Sequence, residues 1–171
     1  MYKDILLPIV LGEIPESAVR LACALAAADQ GHVTALVAVS LFVPSTATWA
    51  YFPAGTYETM DEAAQAALRQ QMRHVEQRLQ QEAVTHEVRG CPEFWLTPSE
   101  AGIPQARYMD LVVLGVDQPL HDAQRKLFAD LLIASGRPVL LVPAAPATPA
   151  CSPSASSPPA RGSMPRGCGR G

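Results

Sequence analysis

The residues with the clearest chemical potential lie in one segment, LGVDQPLHDAQRK at residues 114–126. A lone glycine, Gly115, ends an apolar run, and Asp117 and Gln118 follow it. In strand–loop–helix units, glycine-rich loops bring backbone N–H groups close to phosphate oxygens. Arg125 and Lys126 either meet a phosphate here or are solvated helix residues, and we favour the second interpretation. The segment therefore poses a choice between a reduced nucleotide site and an ordinary loop.

Other catalytic patterns are missing from the sequence. The histidines have neither HxxxH nor HExxH spacing, which argues against a zinc site; they are His32, His74, His86 and His121. His121 and Asp122 could act as acid–base partners, but we favour an exposed loop pair. There is no G-x-S-x-G elbow, so serine-based hydrolysis has no candidate. We therefore expect a protein that is not an enzyme and has no metal site.

Composition and charge point to a cytoplasmic globular protein. Of the 171 residues, 49% are hydrophobic, and the formal net charge is −3. That balance gives no reason to expect nucleic acid or a membrane surface as a partner. We expect no secretory signal and no membrane span. The four cysteines lack metal-site spacing, and Cys23 is expected to be a buried apolar residue in a reducing compartment.

Strand and helix patterns alternate along the chain. Apolar runs predict strands at residues 4–10, 32–40, 83–89, 111–114 and 139–142. Amphipathic patterns predict helices between them: one ended by Gly31, a long one over 57–82, a short or kinked one after the capping box Thr97-Pro98-Ser99-Glu100, and one ended by Gly136. Such alternation predicts an α/β fold with a parallel sheet and helices on both faces.

Two segments lack regular patterning. Residues 41–56 contain Trp49, Tyr51 and Phe52, which either form a lid on a planar ligand or pack over the sheet end or a partner. We favour packing. Residues 144–171 are rich in Pro, Ala, Ser, Gly and Arg, so we predict a disordered tail after a domain of residues 1–143. The tail is either a linker-like extension or an out-of-frame remnant of a second domain.

Three stretches carry a family resemblance. MYKDILLPIV at the start, ARYMDLVVLG at 106–115 and ASGRPVLLVP at 134–143 resemble the universal stress proteins. The sequences of the last two stretches most resemble family members with two such domains in tandem. The resemblance implies a Rossmann-like, five-stranded parallel sheet of order 3-2-1-4-5, similar to the adenine nucleotide alpha hydrolases. It also implies dimerisation through the last strand.

One branch of that family binds ATP through an aspartate at the end of the first strand and a G-x2-G-x9-G-[S/T] loop after the fourth. Here Val10 stands at the aspartate position, Gly115 matches the first glycine, and Gln118 replaces the second. Arg125 and Lys126 stand where the last glycine and its hydroxyl partner belong. The positions that match the family's nucleotide site are Pro8, Ile9, Val10, Val39, Gly115, Asp117, Gln118, Arg125 and Lys126.

The last strand offers a second functional feature. A bare apolar edge at Val139-Leu140-Leu141-Val142 invites pairing with its own copy across a two-fold axis, which Pro143 limits. Together with the altered motif, this predicts a universal-stress-protein-like binding or regulatory protein, a homodimer without efficient ATP binding. The alternative is a protein that binds ATP, AMP or another small molecule at the switch point between the first and fourth strands, with slow ATP hydrolysis.

Overall fold

The structure is a computed structural model that describes residues 2–10, 12, 14–39, 53, 55–93, 96–117 and 119–144. Its strands are β1 (Asp4–Val10), β2 (His32–Ala38), β3 (Thr85–Cys91), β4 (Leu111–Val116) and β5 (Val139–Pro143). Its helices are α1 (Glu16–Ala28), α2 (Thr56–Leu79), α3 (Pro98–Ala106) and α4 (Asp122–Ser135). The predicted aromatic group at 49–52 and the predicted tail from residue 145 onward lie outside the described residues.

All strand pairs are parallel, and the order in the sheet is β3-β2-β1-β4-β5. This confirms the predicted order. Helices α1 and α2 cover one face, where Val19, Ala22 and Val75 are buried. Helices α3 and α4 cover the other, where Leu127 and Leu131 are buried. Because β1 is central, its residues from Ile5 to Ile9 are buried from both sides.

The end of α1 differs from its prediction. The sequence predicts Gly31 as the left-handed residue that ends this helix, but Gln30 carries that backbone conformation, with φ of 52°. Gly31 N–H donates to the Ala26 carbonyl at 2.7 Å, and Gln30 N–H donates to that of Ala27, the pairing of a Schellman motif. Gly31 is needed for a different reason: a side chain there would collide with the backbone of Lys3.

Helix α3 is short, as predicted: it is nine residues long, and Gly102 and Pro104 both lie inside it. Its capping box is present: Glu100 N–H donates to Thr97 Oγ1, and Thr97 N–H donates to the Glu100 carboxylate. Gly102 allows close approach to α4, because a Cβ there would lie 3.1 Å from Leu131 Cδ2. Helix α4 ends at Gly136 as predicted. Its apolar pattern predicts Leu132 in the core together with Leu127 and Leu131, but Leu132 is exposed.

The start of β1 is held by one carboxylate. Asp110 Oδ2 accepts hydrogen bonds from the backbone N–H groups of Lys3 at 2.9 Å and Asp4 at 3.2 Å. Asp110 N–H in turn donates to the Asp4 carbonyl. The two backbone donors, first Lys3 and then Asp4, hold the pKa of Asp110 below its ordinary value of 3.8. The aspartate of the ARYMDLVVLG stretch therefore joins the ends of the two central strands.

Replacing this carboxylate by an amide should destabilise the domain. For Asp110→Asn we expect the free energy of unfolding to fall by about 1 kcal/mol at pH 7, because the charge of the hydrogen-bond acceptor is removed. The effect is modest because solvent exposure weakens charge-assisted hydrogen bonds. The folded-state pKa is depressed, so the stabilisation is present above pH 3.8 and lost as the pH falls through the lower folded value. Thermal melts of both proteins from pH 7 to pH 3 should converge on acidification. Glu62→Gln, on the exposed surface of α2, is the control. A constant difference at all pH values would contradict the assignment.

Candidate functional site

The candidate site lies where the carboxyl ends of β1 and β4 meet. From β1 the chain turns toward β2, whereas from β4 it turns toward β5. In open α/β sheets this reversal leaves a crevice outside the strand ends, the usual place for a ligand. The described residues at this end of the sheet include Val10, Gly12, Asp117 and the N-terminus of α1.

Pro8 separates the two central strands at this end. The Asp4 carbonyl accepts from Asp110 on the β4 side, whereas the Lys3 carbonyl accepts from His32 on the β2 side. Because backbone groups alternate along a strand, the nitrogen of Pro8 faces β4, where it has no hydrogen to donate. The register of β1 with β4 accordingly ends at Leu6, whereas its register with β2 continues to Val10.

Gly115 is covered by the first turn of α1. A Cβ on Gly115 would collide with the ring of Pro15 and would lie 3.3 Å from Ala18 Cβ. Pro15 is the N-cap residue of α1 and provides no side-chain cap hydrogen bond. The one glycine that matches the family motif is thus explained by helix packing. A glycine at this position is no evidence of a phosphate loop.

The loop after β4 is closed by Gln124 in the first turn of α4. Gln124 Oε1 accepts from the N–H groups of Asp117 at 3.3 Å and His121 at 3.4 Å. Its Nε2 donates to the Asp117 carboxylate at 3.1 Å. The amide therefore occupies two backbone donors that a bound anion would otherwise use. Gln118, the predicted substitute for the second glycine, lies outside the described residues.

The two cations of α4 are paired with acids on the same helix. Arg125 Nη1 lies 3.5 Å from the Asp122 carboxylate, and Lys126 Nζ lies 2.7 Å from that of Asp130. Both cationic side chains are well exposed. Their position supports the favoured interpretation of solvated helix residues. The hypothetical acid–base partner of His121 is engaged as well, because Asp122 faces Arg125.

The remaining predicted site residues divide into buried and exposed. Pro8, Ile9 and Val39 are buried and can only support the site from behind. Val10 is 41% exposed at the end of β1, so the position of the family's aspartate is accessible but holds an aliphatic side chain. The structure thus brings Val10, Gly115 and Asp117 to the carboxyl end of the sheet.

One polar contact was missed in the sequence. Gln71 of α2 is buried, and its Nε2 donates to the Gly12 carbonyl at 3.0 Å, which ties α2 to the turn after β1. The signal was present, because position 71 falls on the same helical stripe as Ala64, Leu68, Val75 and Leu79. A glutamine on such a stripe indicates a buried hydrogen bond.

No other described chemistry competes with this site. The Cys23 thiol is buried as predicted, and burial together with the nearby Glu82 raises its pKa to about 11. Burial also raises the pKa of the Cys91 thiol, which donates to the Glu93 carboxylate. The described residues contain no group of three or more side chains able to hold a metal ion. Among the described helices, none is both long enough and apolar enough to cross a membrane.

Comparison with known proteins decides the family. A sequence model described as the universal stress protein family matches residues 1–135. The chain belongs to this family. No curated protein sequence matches it. The predicted family membership is therefore confirmed, and it rests on most of the described part of the chain.

Solved structures show the same fold. A universal stress protein family member from Burkholderia pseudomallei is 22% identical, with a TM-score of 0.60, over 84% of this chain and 97% of that one. UspA from Lactobacillus plantarum is 19% identical, with a TM-score of 0.59, over 82% and 97%. A family protein from Arabidopsis thaliana with AMP bound is 9% identical, with a TM-score of 0.53, over 84% and 93%.

Adding one methyl group at Gly115 should displace the first turn of α1. We expect Gly115→Ala to cost about 1–3 kcal/mol, the usual penalty of overpacking, because the new methyl meets Pro15. Thermal or urea unfolding measures the loss. Pro15→Gly removes the colliding atoms, so the double variant should be more stable than the sum of the two single effects predicts. Simple additivity would show that Pro15 does not cover Gly115.

Proposed function

We propose that this universal stress protein is a stress-response binding or regulatory protein that acts in the cytoplasm, is not an enzyme and does not bind ATP efficiently. The observation that carries the proposal is the closed loop after β4. Gln124 already accepts from the N–H groups of Asp117 and His121, so an incoming phosphate has to displace it. We propose no nucleic acid or membrane as a partner, since residues 1–143 carry an excess of acidic groups.

Electrostatics around the loop supports the same proposal. The Asp117 carboxylate stands at the loop and faces Gln124, and Asp122 stands in the first turn of α4. Two carboxylates therefore stand near the N-terminus of α4, where their charge opposes that of a triphosphate. Arg125 and Lys126 neutralise Asp122 and Asp130, which leaves little positive charge for a ligand.

The second candidate is a nucleotide or small-molecule binding protein, with slow ATP hydrolysis as its furthest extension. Two observations favour it. The pairing of β1 with β4 ends at Leu6, and the Val10 side chain beyond that point is exposed. The Arabidopsis relative that has AMP bound shares the fold. AMP has one phosphate and makes a smaller demand on the closed loop than ATP does.

Thermal melting of the full chain with Mg·ATP and with AMP separates the two candidates. A ligand at 100-fold its dissociation constant adds about 2.7 kcal/mol, which for a domain of this size raises the midpoint by roughly 5–10 °C. We expect no such shift with ATP.

A variant pair keeps the result unambiguous. If a shift occurs with either nucleotide, Val10→Trp should abolish it, because the indole fills the crevice at the end of β1. Tyr108→Trp, at a position 83% exposed before the start of β4, should leave it unchanged. A shift that is lost only in Val10→Trp would establish the second candidate and reject the first.

We also propose that the protein is a homodimer through β5. This strand is an outer strand of the sheet. Apolar side chains are exposed around it: Leu140 of β5 is 38% exposed, and Leu132 and Ile133 of the adjoining α4 are also exposed. Val112 N–H donates to the Pro138 carbonyl, so Leu141 and Pro143 direct their backbone groups outward. Pro143 has no N–H, which leaves Leu141 as the central outward donor of β5.

Removing that donor tests the dimer. Leu141→Pro deletes an outward N–H without breaking the ladder to β4, so a dimer through β5 should dissociate. Sedimentation velocity measures the mass, and circular dichroism verifies the fold. Leu141→Val, which keeps the N–H, is the control and should remain dimeric. A wild-type chain that stays monomeric when concentrated, or a dimer that survives Leu141→Pro, would refute the β5 interface.

A further inference from the structure

The opposite edge of the sheet has features that the proposed function does not use. Strand β3 is the other outer strand, and a groove lies beside it on each face. One groove, of about 460 Å³, runs between α2 and β3 and includes Met72, Glu76 and Val88. The other, of about 520 Å³, runs between β3 and α3 and includes Glu87, Arg89 and Cys91. An added strand at this edge has room for side chains on both faces.

The outward backbone groups of β3 follow from the register. His32 N–H donates to the Lys3 carbonyl, so the even residues of β2 face β1 and its odd residues face β3. With His32 paired to Thr85, the odd residues of β3 face β2. His86, Val88 and Gly90 therefore direct their N–H and C=O groups away from the sheet.

The side chains of β3 divide between the two faces. His86 lies on the α2 face, where its Nε2 is 3.4 Å from Glu76 Oε1. Glu87 and Arg89 lie on the α3 face, joined to each other at 2.8 Å, and Arg89 Nη1 donates to Gln105 Oε1. The outer strand thus presents one acid and one base, two residues apart, on a single face.

We propose that β3 pairs with β3 of a second copy of this chain, antiparallel, with Val88 on the two-fold axis. In this register Glu87 lies opposite Arg89 of the partner subunit, and Arg89 lies opposite Glu87 of the partner subunit. The two strands can bond only where the outward N–H and C=O groups of one strand meet those of the other. The two neighbouring registers that meet this condition place either Glu87 against the partner's Glu87 or Arg89 against the partner's Arg89. Like charges directly opposite are destabilising. Charge therefore selects the register centred on Val88.

Size complementarity on the α2 face fits the same register. His86 lies opposite Gly90 of the partner subunit, where no side chain competes for space. Gly90 itself is required because a Cβ there would lie 2.6 Å from Met72 Sδ. Val88 meets Val88 of the partner subunit at the axis, and the outward N–H and C=O groups of His86, Val88 and Gly90 all find partners. This interface shares no residue with β5 or with the proposed ligand site.

Charge reversal tests the pairing. The experiment uses the full chain with Leu141→Pro, so that association through β5 does not contribute, and measures the dimer dissociation constant by sedimentation. Glu87→Arg and Arg89→Glu each set like charges across the axis twice and should weaken association by about tenfold or more. The double variant restores opposite charges and should return the dissociation constant to within about threefold. Glu62→Arg, an equal charge change on α2, should have little effect.

A cross-link tests the register directly. Thr85 lies opposite Cys91 of the partner subunit in a pair without mutual hydrogen bonds, a geometry within reach of a disulfide. In a chain with Leu141→Pro, Cys151→Ser and Cys168→Ser, Thr85→Cys should form covalent dimers when copper phenanthroline and oxygen accept the two electrons. His86→Cys, which faces Gly90 of the partner subunit, should not. Absence of self-association, equal effects of the single and double charge variants, or equal cross-linking at positions 85 and 86 would overturn the proposal.

Discussion

The position of β1 at the centre of the sheet constrains the rest of the molecule. Its residues are buried on both faces, and its backbone pairs with β2 along the whole strand and with β4 at its beginning. The Asp110 carboxylate fixes that beginning by binding the N–H groups of Lys3 and Asp4. At the other end Pro8 has nothing to donate toward β4, so the strands diverge. One strand therefore determines both the hydrogen-bonded amino end of the sheet and the place where β1 and β4 stop pairing.

At that crevice, this chain uses side chains where an ATP-binding relative is expected to use glycines. Pro15 rests on Gly115, and the Gln124 amide closes the loop from Asp117 to His121. Both arrangements satisfy the backbone from within the protein. The same backbone groups cannot also bind a phosphate without first breaking those contacts, which is a cost that a preformed glycine loop does not carry.

Much of the fold was predictable because its signals are local. The apolar run of β1, the capping box from Thr97 to Glu100 and the left-handed Gly136 each reveal their structure in a few residues. The strand order came from the family resemblance. The site was predictable only as a set of positions. What Pro15 and Gln71 do depends on which distant part of the chain they meet, and neither spacing nor propensity encodes that partner. The left-handed residue at the end of α1 was mispredicted for a similar reason. Gly31 is required by its contact with Lys3, whereas Gln30 carries the left-handed conformation that ends the helix.

The hydrogen bond from Gln71 to Gly12 has a consequence for communication across the molecule. Gln71 binds the Gly12 carbonyl after β1, and the next residue in the chain, Met72, borders the groove beside β3. Helix α2 thus reaches the groove beside β3 and the Gly12 carbonyl after β1 through adjacent residues. If α2 shifts when one of these places is occupied, the free energy of occupying the other changes as well, and thermodynamic reciprocity makes the effect equal in both directions. Subunit pairing and ligand binding would then be linked without any contact between them.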